Sequence, residues 1–324
     1  MKIRNFSVAS DLEQNLVFGL ALDGSGGELD PAAVLERRPI WCHFDGSQTG
    51  STAALEAMGL ESRVVERLMA DETRPMMTVL ESGLLLTLRG INLNADRDPV
   101  DMVSLRLWMG NDMIVTVRLQ VLASVQQVRR DLLSESSACR PQRVLTKILV
   151  ALADRVSAYL ETLTIATDAL EETLLEAVQS LDLTEVAELR RRIASVRRFV
   201  SPQRDALHEL ARRKLPWLNA DEIDRVSIEA DRFARYVEDL DLIRERVMVV
   251  QESINQRLQE DQNKRLNALG LLAGLFLPAT FLTGIFGMNV GGLPGVESPS
   301  GFYWVIGGML SCSLALYAWL RLRG

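Results

Sequence analysis

The fold of this chain is decided by a run of 21 uncharged residues, 266-LNALGLLAGLFLPATFLTGIF-286. At about 1.5 Å per residue, a helix of this length crosses the roughly 30 Å hydrocarbon layer of a bilayer. A loop follows at 287–301, and a second uncharged run of 19 residues, 302–320, precedes the basic tail 321–324. We therefore predict a transmembrane domain over 266–324 that crosses the membrane twice.

Charge is distributed unevenly along the 324 residues, whose net charge is −7. Beyond residue 265 the only charged residues are Glu297, Arg321 and Arg323. The acidic soluble part argues against nucleic-acid binding, which needs a basic surface. Lys264 and Arg265 precede the first span and the loop has no Lys or Arg, so the positive-inside rule predicts cytoplasmic termini. The first ten residues also lack the apolar core of a signal peptide.

The cysteines and histidines are few and scattered: Cys42, Cys139, Cys312, His43 and His208. No pair of them has metal-ligand spacing, which favours structural roles for all five. Ser-His-Asp, Walker and reactive-cysteine patterns are also missing from the sequence. We therefore predict neither an enzyme nor a bound cofactor.

Short apolar segments in residues 1–135 predict a cytoplasmic α/β domain. Strands are predicted at 16–22, 40–44, 76–80, 84–91, 102–109 and 113–118, and helices at 51–59 and 61–70. The last four strands form two hairpins, so the sheet should be mainly antiparallel with helices against it. Along 103–107, apolar residues alternate with Ser104 and Arg106, as they do in a strand.

After residue 121 the pattern becomes helical, first at 121–133 and then in a long helical hairpin over 136–218. Its first helix is predicted at 142–179, and its second begins after Asp182 and is expected to be interrupted at Pro202. Glu171, Glu172 and Glu176 lie near the tip of the hairpin. For these carboxylates a solvated charged face is favoured over a cation-sensing site.

A stalk helix is predicted over 219–265, and nothing in the sequence separates it from the first span. Asn219 and Glu222 form a capping-box pattern at its start, and no Pro or Gly occurs from 217 to 269. One helix could therefore run from about Ala220 to Phe286, on the order of 100 Å.

One face of this helix could line a pore. Its residues recur every three or four positions, and the face begins polar and becomes small and apolar: Glu252, Gln259, Asn263, Leu266, Gly270, Ala273, Leu277, Thr280 and Gly284. Two spans per chain are too few to enclose an aqueous path, so a pore requires an oligomer. The alternative is ordinary packing, with Gly270-x-x-x-Gly274 as a helix contact and Pro278 as a kink.

The stretch 275-LFLPATFLTGIFGMN-289 resembles the end of the first transmembrane helix in the CorA superfamily of divalent-metal transporters. The family signature is Gly-Met-Asn, here Gly287-Met288-Asn289, followed by one more span. The order of α/β domain, helical hairpin, stalk helix and two spans is also similar. The segments 291-GGLPG-295 and 71-DETRP-75, with Trp41-x-His43-x-Asp45, look like the ZntB-type zinc-transport branch.

The resemblance implies an α/β cytoplasmic domain with a long helical stalk and two C-terminal transmembrane helices, assembled as a homopentameric funnel in a bacterial inner membrane. Gly287, Met288 and Asn289 would form a selectivity ring at the pore entrance, where Asn289 amides hold a hydrated metal ion through its water shell. Leu266 and Leu277 would form hydrophobic constrictions. The implied partners are further copies of the chain, the lipid bilayer and the transported metal.

The implied cargo is zinc(II), with proton linkage as a further expectation from the family. Zinc prefers Cys, His and carboxylate ligands, and the predicted face offers none of these beyond Glu252. Two alternatives remain. One is a magnesium, cobalt or nickel channel of the CorA type, and the other is a membrane scaffold that transports nothing.

Overall fold

The computed structural model describes residues 11–25, 27–71, 74–135, 137–176, 183–288, 293, 295 and 298–323. The chain divides into two compact units, with the division after Val250. The first unit contains a β-sheet and most of the helices. The second unit contains the C-terminal part of one long helix and the last helix.

The first unit is built on a six-stranded sheet. Its strands are β1 (Leu16–Ala21), β2 (Ile40–Asp45), β3 (Met76–Leu80), β4 (Gly83–Gly90), β5 (Val103–Met109) and β6 (Met113–Arg118). They lie in the order β1-β2-β6-β5-β4-β3. Every neighbouring pair is antiparallel except β2 and β6, which run parallel. The mainly antiparallel sheet and both hairpins are confirmed.

The helices complete both units. They are α1 (its described part is 11–15), α2 (Pro31–Glu36), α3 (Ser51–Ala57), α4 (Ser62–Met69), α5 (Ala123–Ser134), α6 (Pro141–Glu176), α7 (Leu183–Arg212), α8 (Ala220–Phe286) and α9 (Gly301–Arg323). Helix α2 was not predicted from the sequence. Its signal is Asp30, which caps the helix by accepting a hydrogen bond from the Ala33 amide at 2.8 Å, followed by Pro31 at the first helical position.

Both faces of the sheet are buried, although alternation along 103–107 is typical of a strand with one wet face. All seven residues of β5 are buried. Helices α3 and α4 pack on the face that carries Leu85, Trp108 and Val117, while α6 packs against β2, β4 and β6. Arg106 therefore lies inside the protein with only 1% of its surface exposed.

Helix α7 continues through Pro202, so the predicted interruption there is wrong. Proline removes one backbone hydrogen bond, which costs about 3 kcal/mol in an exposed helix. Here the flanking residues Val200, Gln203 and Leu207 are fully buried, and the Gln203 Oε1 atom accepts a hydrogen bond from the Arg89 amide at 2.6 Å. Packing and this bond hold the turn in place.

Ion pairs link the long helices within the first unit. Arg197 of α7 donates to Asp241 of α8 at 2.7 and 3.0 Å, and Arg232 of α8 donates to Asp154 of α6 at 2.6 Å. Between these pairs, α8 buries one apolar stripe that includes Phe233. This stripe has the three-and-four spacing of a helix packed along other helices.

Helix α8 begins at the predicted capping box. The Asn219 amide donates to Glu222 Oε2 at 3.0 Å, and the Glu222 amide donates to Asn219 Oδ1 at 2.8 Å. The helix then continues to Phe286, as the sequence predicted. The division of the chain into domains at 135, 218 and 265 remains a prediction.

Candidate functional site

Two helices of the described chain are long and apolar enough to cross a membrane, and both contribute to the second unit. They are α8 and residues 301–319 of α9. Large apolar side chains on both are exposed in the single chain, among them Phe276 and Trp304. Apolar surface on this scale needs lipid or further protein around it.

Every residue of the predicted pore face is exposed in the single chain. This holds for Glu252, Gln259, Asn263, Leu266, Gly270, Ala273, Leu277, Thr280 and Gly284. Side chains added at Gly270 or Gly284 would meet nothing within 4 Å. These residues form one stripe because they repeat at helical spacing, and the second unit itself leaves that stripe uncovered.

A different stripe of α8 packs against α9. A Cβ atom added at Gly274 would lie 3.4 Å from the Leu316 side chain, and the Ser313 hydroxyl donates to the Leu275 carbonyl at 3.5 Å. At about 100° per residue, the partly buried positions at 274, 278, 279, 282 and 285 lie roughly 80–160° from the centre of the predicted pore face. Helix packing therefore accounts for Gly274 but not for Gly270.

The chemistry of the exposed stripe changes along the helix. Glu252 accepts a 3.4 Å hydrogen bond from the Gln256 side chain, and the amides of Gln259 and Asn263 follow about two and three turns after Glu252. Further on, the Thr280 hydroxyl donates to the Phe276 carbonyl at 2.8 Å, which leaves its oxygen lone pairs as acceptors. The stripe thus offers oxygen dipoles and small surfaces, which suit a cation that keeps its water.

The end of α8 requires glycine. The Gly287 amide donates to the Thr283 carbonyl at 2.8 Å, and a Cβ atom at Gly287 would lie only 2.8 Å from that same oxygen. Met288 is described and half exposed. Asn289, the predicted ligand for the hydrated ion, lies outside the described residues.

The carboxylates near the end of α6 are engaged by an arginine. Arg246 of α8 donates to both oxygens of Glu171 at 2.9 and 2.6 Å, and to Asp168 at 2.5 Å. These hydrogen bonds raise the pKa of Arg246. Glu172 is exposed, and the Glu176 side chain lies outside the described part. Among the described residues no group of three His, Cys, Asp or Glu could hold a metal.

His43 and Cys42 lie in the core of the first unit. The His43 Nδ1 atom is 2.8 Å from the Thr116 hydroxyl, and burial lowers its pKa to about 3. Burial raises the pKa of the Cys42 thiol to about 12. Both side chains are therefore neutral at physiological pH and have no access to solvent, in agreement with the predicted structural roles.

The first unit also contains a basic cavity that was not predicted from the sequence. It has a volume of about 640 Å³ and includes Arg74, Arg89, Arg106 and Arg198 in its wall. These four residues are far apart in sequence and come from four different elements or loops. Only the strand order brings them together, and single-sequence patterns do not give that order.

The family is decided by a match over most of the chain. The sequence model of the family described as CorA-like Mg2+ transporter protein matches residues 36–322. This chain belongs to the CorA family. CorA-family proteins are ion transporters and not enzymes, so this chain is a divalent cation transporter with two membrane-spanning helices.

Relatives of this CorA-family chain carry two kinds of name. The divalent cation transporter CmaX of Pseudomonas aeruginosa is 36% identical over 322 residues, which is 96% of each protein. The zinc transport protein ZntB of Yersinia enterocolitica is 36% identical over 310 residues, which is 94% of each.

Solved structures have the same fold as this CorA-family chain. The full-length CmaX protein superposes with a TM-score of 0.82 at 35% identity, covering 95% of this chain and 98% of that one. The CorA magnesium transporter of Methanocaldococcus jannaschii has a TM-score of 0.80 at 19% identity over the same shares, a likeness of fold alone. The predicted CorA-like architecture is confirmed.

Proposed function

We propose that five copies of this chain form a central pore lined by α8 and move zinc(II) across a bacterial inner membrane. Both termini lie in the cytoplasm, because Lys264 and Arg265 precede the first span and Arg321 and Arg323 follow the second. Residues 287–301 then face the outside.

One observation carries the proposal: the α8 stripe from Glu252 to Gly284 is exposed along its whole length, while a separate stripe packs on α9. Within the span the stripe consists of small residues, a hydroxyl and two leucines, and small residues allow copies of the helix to approach one another closely around a shared axis. The amides of Gln259 and Asn263 continue the same face on the cytoplasmic side of the span.

In this pore the ion passes with most of its water retained. A ring of Asn289 amides at the entrance offers neutral dipoles to the hydrated ion, and these bind it more weakly than a carboxylate ring would. Gly287 allows the helix to end directly before that ring, because a side chain there would clash with the Thr283 carbonyl.

Two leucine rings and one acidic ring complete the path. Leu266 and Leu277 are 63% and 69% exposed, and rings of them form constrictions that close by losing water. A ring of Glu252 carboxylates raises the local cation concentration at the inner end.

Zinc is supported as cargo by the ZntB proteins, of which the Yersinia enterocolitica relative is 36% identical. Magnesium is the second candidate, and the donor set favours it. Mg²⁺ prefers oxygen donors, and the proposed lining contains oxygen donors but neither Cys nor His. A hydrated-ion pathway accepts either cation, so competition between them is the deciding measurement.

Metal uptake into proteoliposomes tests the transport proposal. We expect Asn289→Ala to lower the zinc uptake rate at least about tenfold, the effect of losing about 1.4 kcal/mol of favourable ion contact at the ring. The matched control is Asn267→Ala, which removes an amide from α8 outside the proposed lining, and it should keep at least half the wild-type rate. Equal rates in wild type and Asn289→Ala, at equal reconstitution, would favour the scaffold alternative.

Two further conditions in the same assay address cargo and coupling. Zinc uptake that persists in excess magnesium supports the zinc assignment, whereas magnesium uptake much faster than zinc uptake supports the alternative. Proton linkage predicts that zinc uptake changes with an imposed pH gradient at zero membrane potential. A zinc uptake rate that does not change with the pH gradient would contradict proton linkage.

A further inference from the structure

A cavity of about 640 Å³ lies in the first unit, where residues of β4, β5 and α7 meet Asp71 and Arg74. Its size is within the range of small-molecule sites. Four arginines belong to its wall, Arg74, Arg89, Arg106 and Arg198, together with two carboxylates, Asp71 and Asp101. The excess of positive charge is notable in a chain whose net charge is −7.

Arg106 is the most constrained member of this wall. Its Nη2 atom donates to the backbone carbonyls of Ala70 and Asp71 at 2.5 and 3.1 Å. Its Nε and Nη1 atoms are buried and have no hydrogen-bond partner among the residues that the structure describes. Leaving two donors of a buried guanidinium without partners is unfavourable, and burial with the nearby Arg89 lowers the pKa of Arg106.

Two more arginines of the wall contact the same aromatic ring, that of Phe199. The guanidinium carbons of Arg89 and Arg198 lie 4.7 and 5.6 Å from the centre of the Phe199 ring. Arg89 is also engaged by the Met102 carbonyl at 2.7 Å. Cation–π contacts offset part of the repulsion between these groups, but a bound anion would offset more, since it pairs with all of them.

We infer that this cavity binds a phosphate-bearing small anion, up to the size of a nucleotide. Arginine is suited to phosphate because its planar guanidinium presents several N–H donors to phosphate oxygens. Arg106 supplies two donors that no described residue satisfies, Arg198 adds a charge from α7, and Phe199 offers an apolar surface to a base or sugar. The ligand would connect the sheet to α7.

This site differs in chemistry from the proposed pore. A divalent cation would meet four arginines here, so the transported metal is not the ligand. Asp71 and Asp101 are exposed at the cavity wall, and the described wall has two carboxylates against four arginines. The inference therefore stands or falls independently of the transport proposal.

Calorimetry on the detergent-solubilised full chain tests the site. The titrants are ATP, inorganic phosphate and adenosine, in buffer without divalent cations and with about 50 mM salt. We expect ATP to bind with a dissociation constant below about 1 mM and more weakly as salt rises, because charge pairing is screened. If phosphate binds as tightly as ATP, the phosphate group alone is recognised; if ATP binds more tightly, the site takes a nucleotide.

Variants locate the binding. Arg106→Gln and Arg198→Gln should each weaken ATP binding about tenfold or more, the effect of one charge-assisted hydrogen bond. Arg198 is exposed, so its variant should fold even if Arg106→Gln does not. The control Arg212→Gln, near the end of α7 and outside the cavity, should bind like wild type. No ATP or phosphate binding, equal binding of adenosine, or unchanged affinity in Arg198→Gln would overturn the inference.

Discussion

At the scale of single residues, the first unit contains a buried polar cluster around the Thr116 hydroxyl. The Thr116 hydroxyl accepts from Trp41 Nε1 at 2.9 Å and lies 2.8 Å from His43 Nδ1. The same hydroxyl donates its one proton to the Cys42 carbonyl at 3.2 Å. This arrangement places the His43 proton on Nδ1. A histidine held neutral in this way cannot carry protons for transport at physiological pH.

The buried His43 should make folding sensitive to acid. Its pKa in the folded protein is about 3, below the ordinary value near 6.5, so only the unfolded state takes up the proton between these values. The contribution of neutral His43 to the free energy of unfolding should be fully present above about pH 6.5. It should fall as the pH drops, by up to roughly 1.4 kcal/mol per pH unit. Thermal or denaturant unfolding of the full chain between pH 7 and pH 4 measures this slope.

Comparison of two variants isolates the effect of His43. His43→Gln should unfold with a shallower dependence on pH than wild type, whatever its absolute stability. His208→Gln removes the other histidine and should keep the wild-type slope. If His43→Gln and wild type lose stability in parallel over this range, His43 is not held neutral in the folded state.

At the scale of elements, the start of α8 depends on two reciprocal hydrogen bonds between Asn219 and Glu222. Asn219→Ala should destabilise the protein by about 1 kcal/mol, which lowers the unfolding temperature by about 2–4 °C. Asn219→Asp keeps the acceptor and should unfold near the wild-type temperature. Circular dichroism at helix wavelengths measures both, and an unchanged midpoint for Asn219→Ala would contradict the capping role.

The proposed hydrophobic constriction makes a second prediction about α8. Leu277 lies on the proposed lining, whereas Leu275 is two residues away and about 160° around the helix. Leu277→Asn should hydrate the constriction and raise metal uptake into proteoliposomes several-fold. Leu275→Asn makes the same change on the other side of the helix and should not raise it. Equal effects of the two variants would argue against a gate at Leu277.

Most elements could be predicted from sequence because their apolar periodicity is strong. The six strands, the hairpins and the unbroken α8 all follow from local patterns. Three features of the fold do not follow from local patterns. Pro202 lies inside α7 because buried neighbours outweigh its lost hydrogen bond, Arg106 is buried because helices cover both faces of the sheet, and β2 pairs with β6 across 67 residues of intervening chain. Each depends on tertiary contacts that no local pattern contains.

Part of the candidate site on α8 could also be predicted from local sequence patterns. Helical spacing alone grouped Gly270, Leu277 and Thr280 on one face, and these residues are exposed in the single chain. Spacing could not separate that face from the one that packs on α9, since both contain small residues. The basic cavity could not be found at all, because its arginines come together only through the strand order.

At the scale of the whole molecule, the single chain is incomplete. Its two membrane helices expose large apolar side chains, and the exposed stripe of α8 continues into amide-bearing residues before the span, so the chain needs lipid and further protein around it. The CorA-like fold of the chain, with a TM-score of 0.82 to full-length CmaX, is consistent with assembly into a closed ring. The central claim is that the Thr280 side of α8 faces the axis of that ring.

Cysteine cross-linking in native membranes tests this claim most directly. The measurement compares Thr280→Cys with Ala279→Cys, its neighbour about 100° around α8, after replacing Cys139 and Cys312 with serine. The account predicts rapid oxidation to subunit-linked products for Thr280→Cys and little for Ala279→Cys. Cross-linking that is absent at position 280 or faster at position 279 would contradict a pore lined by this face.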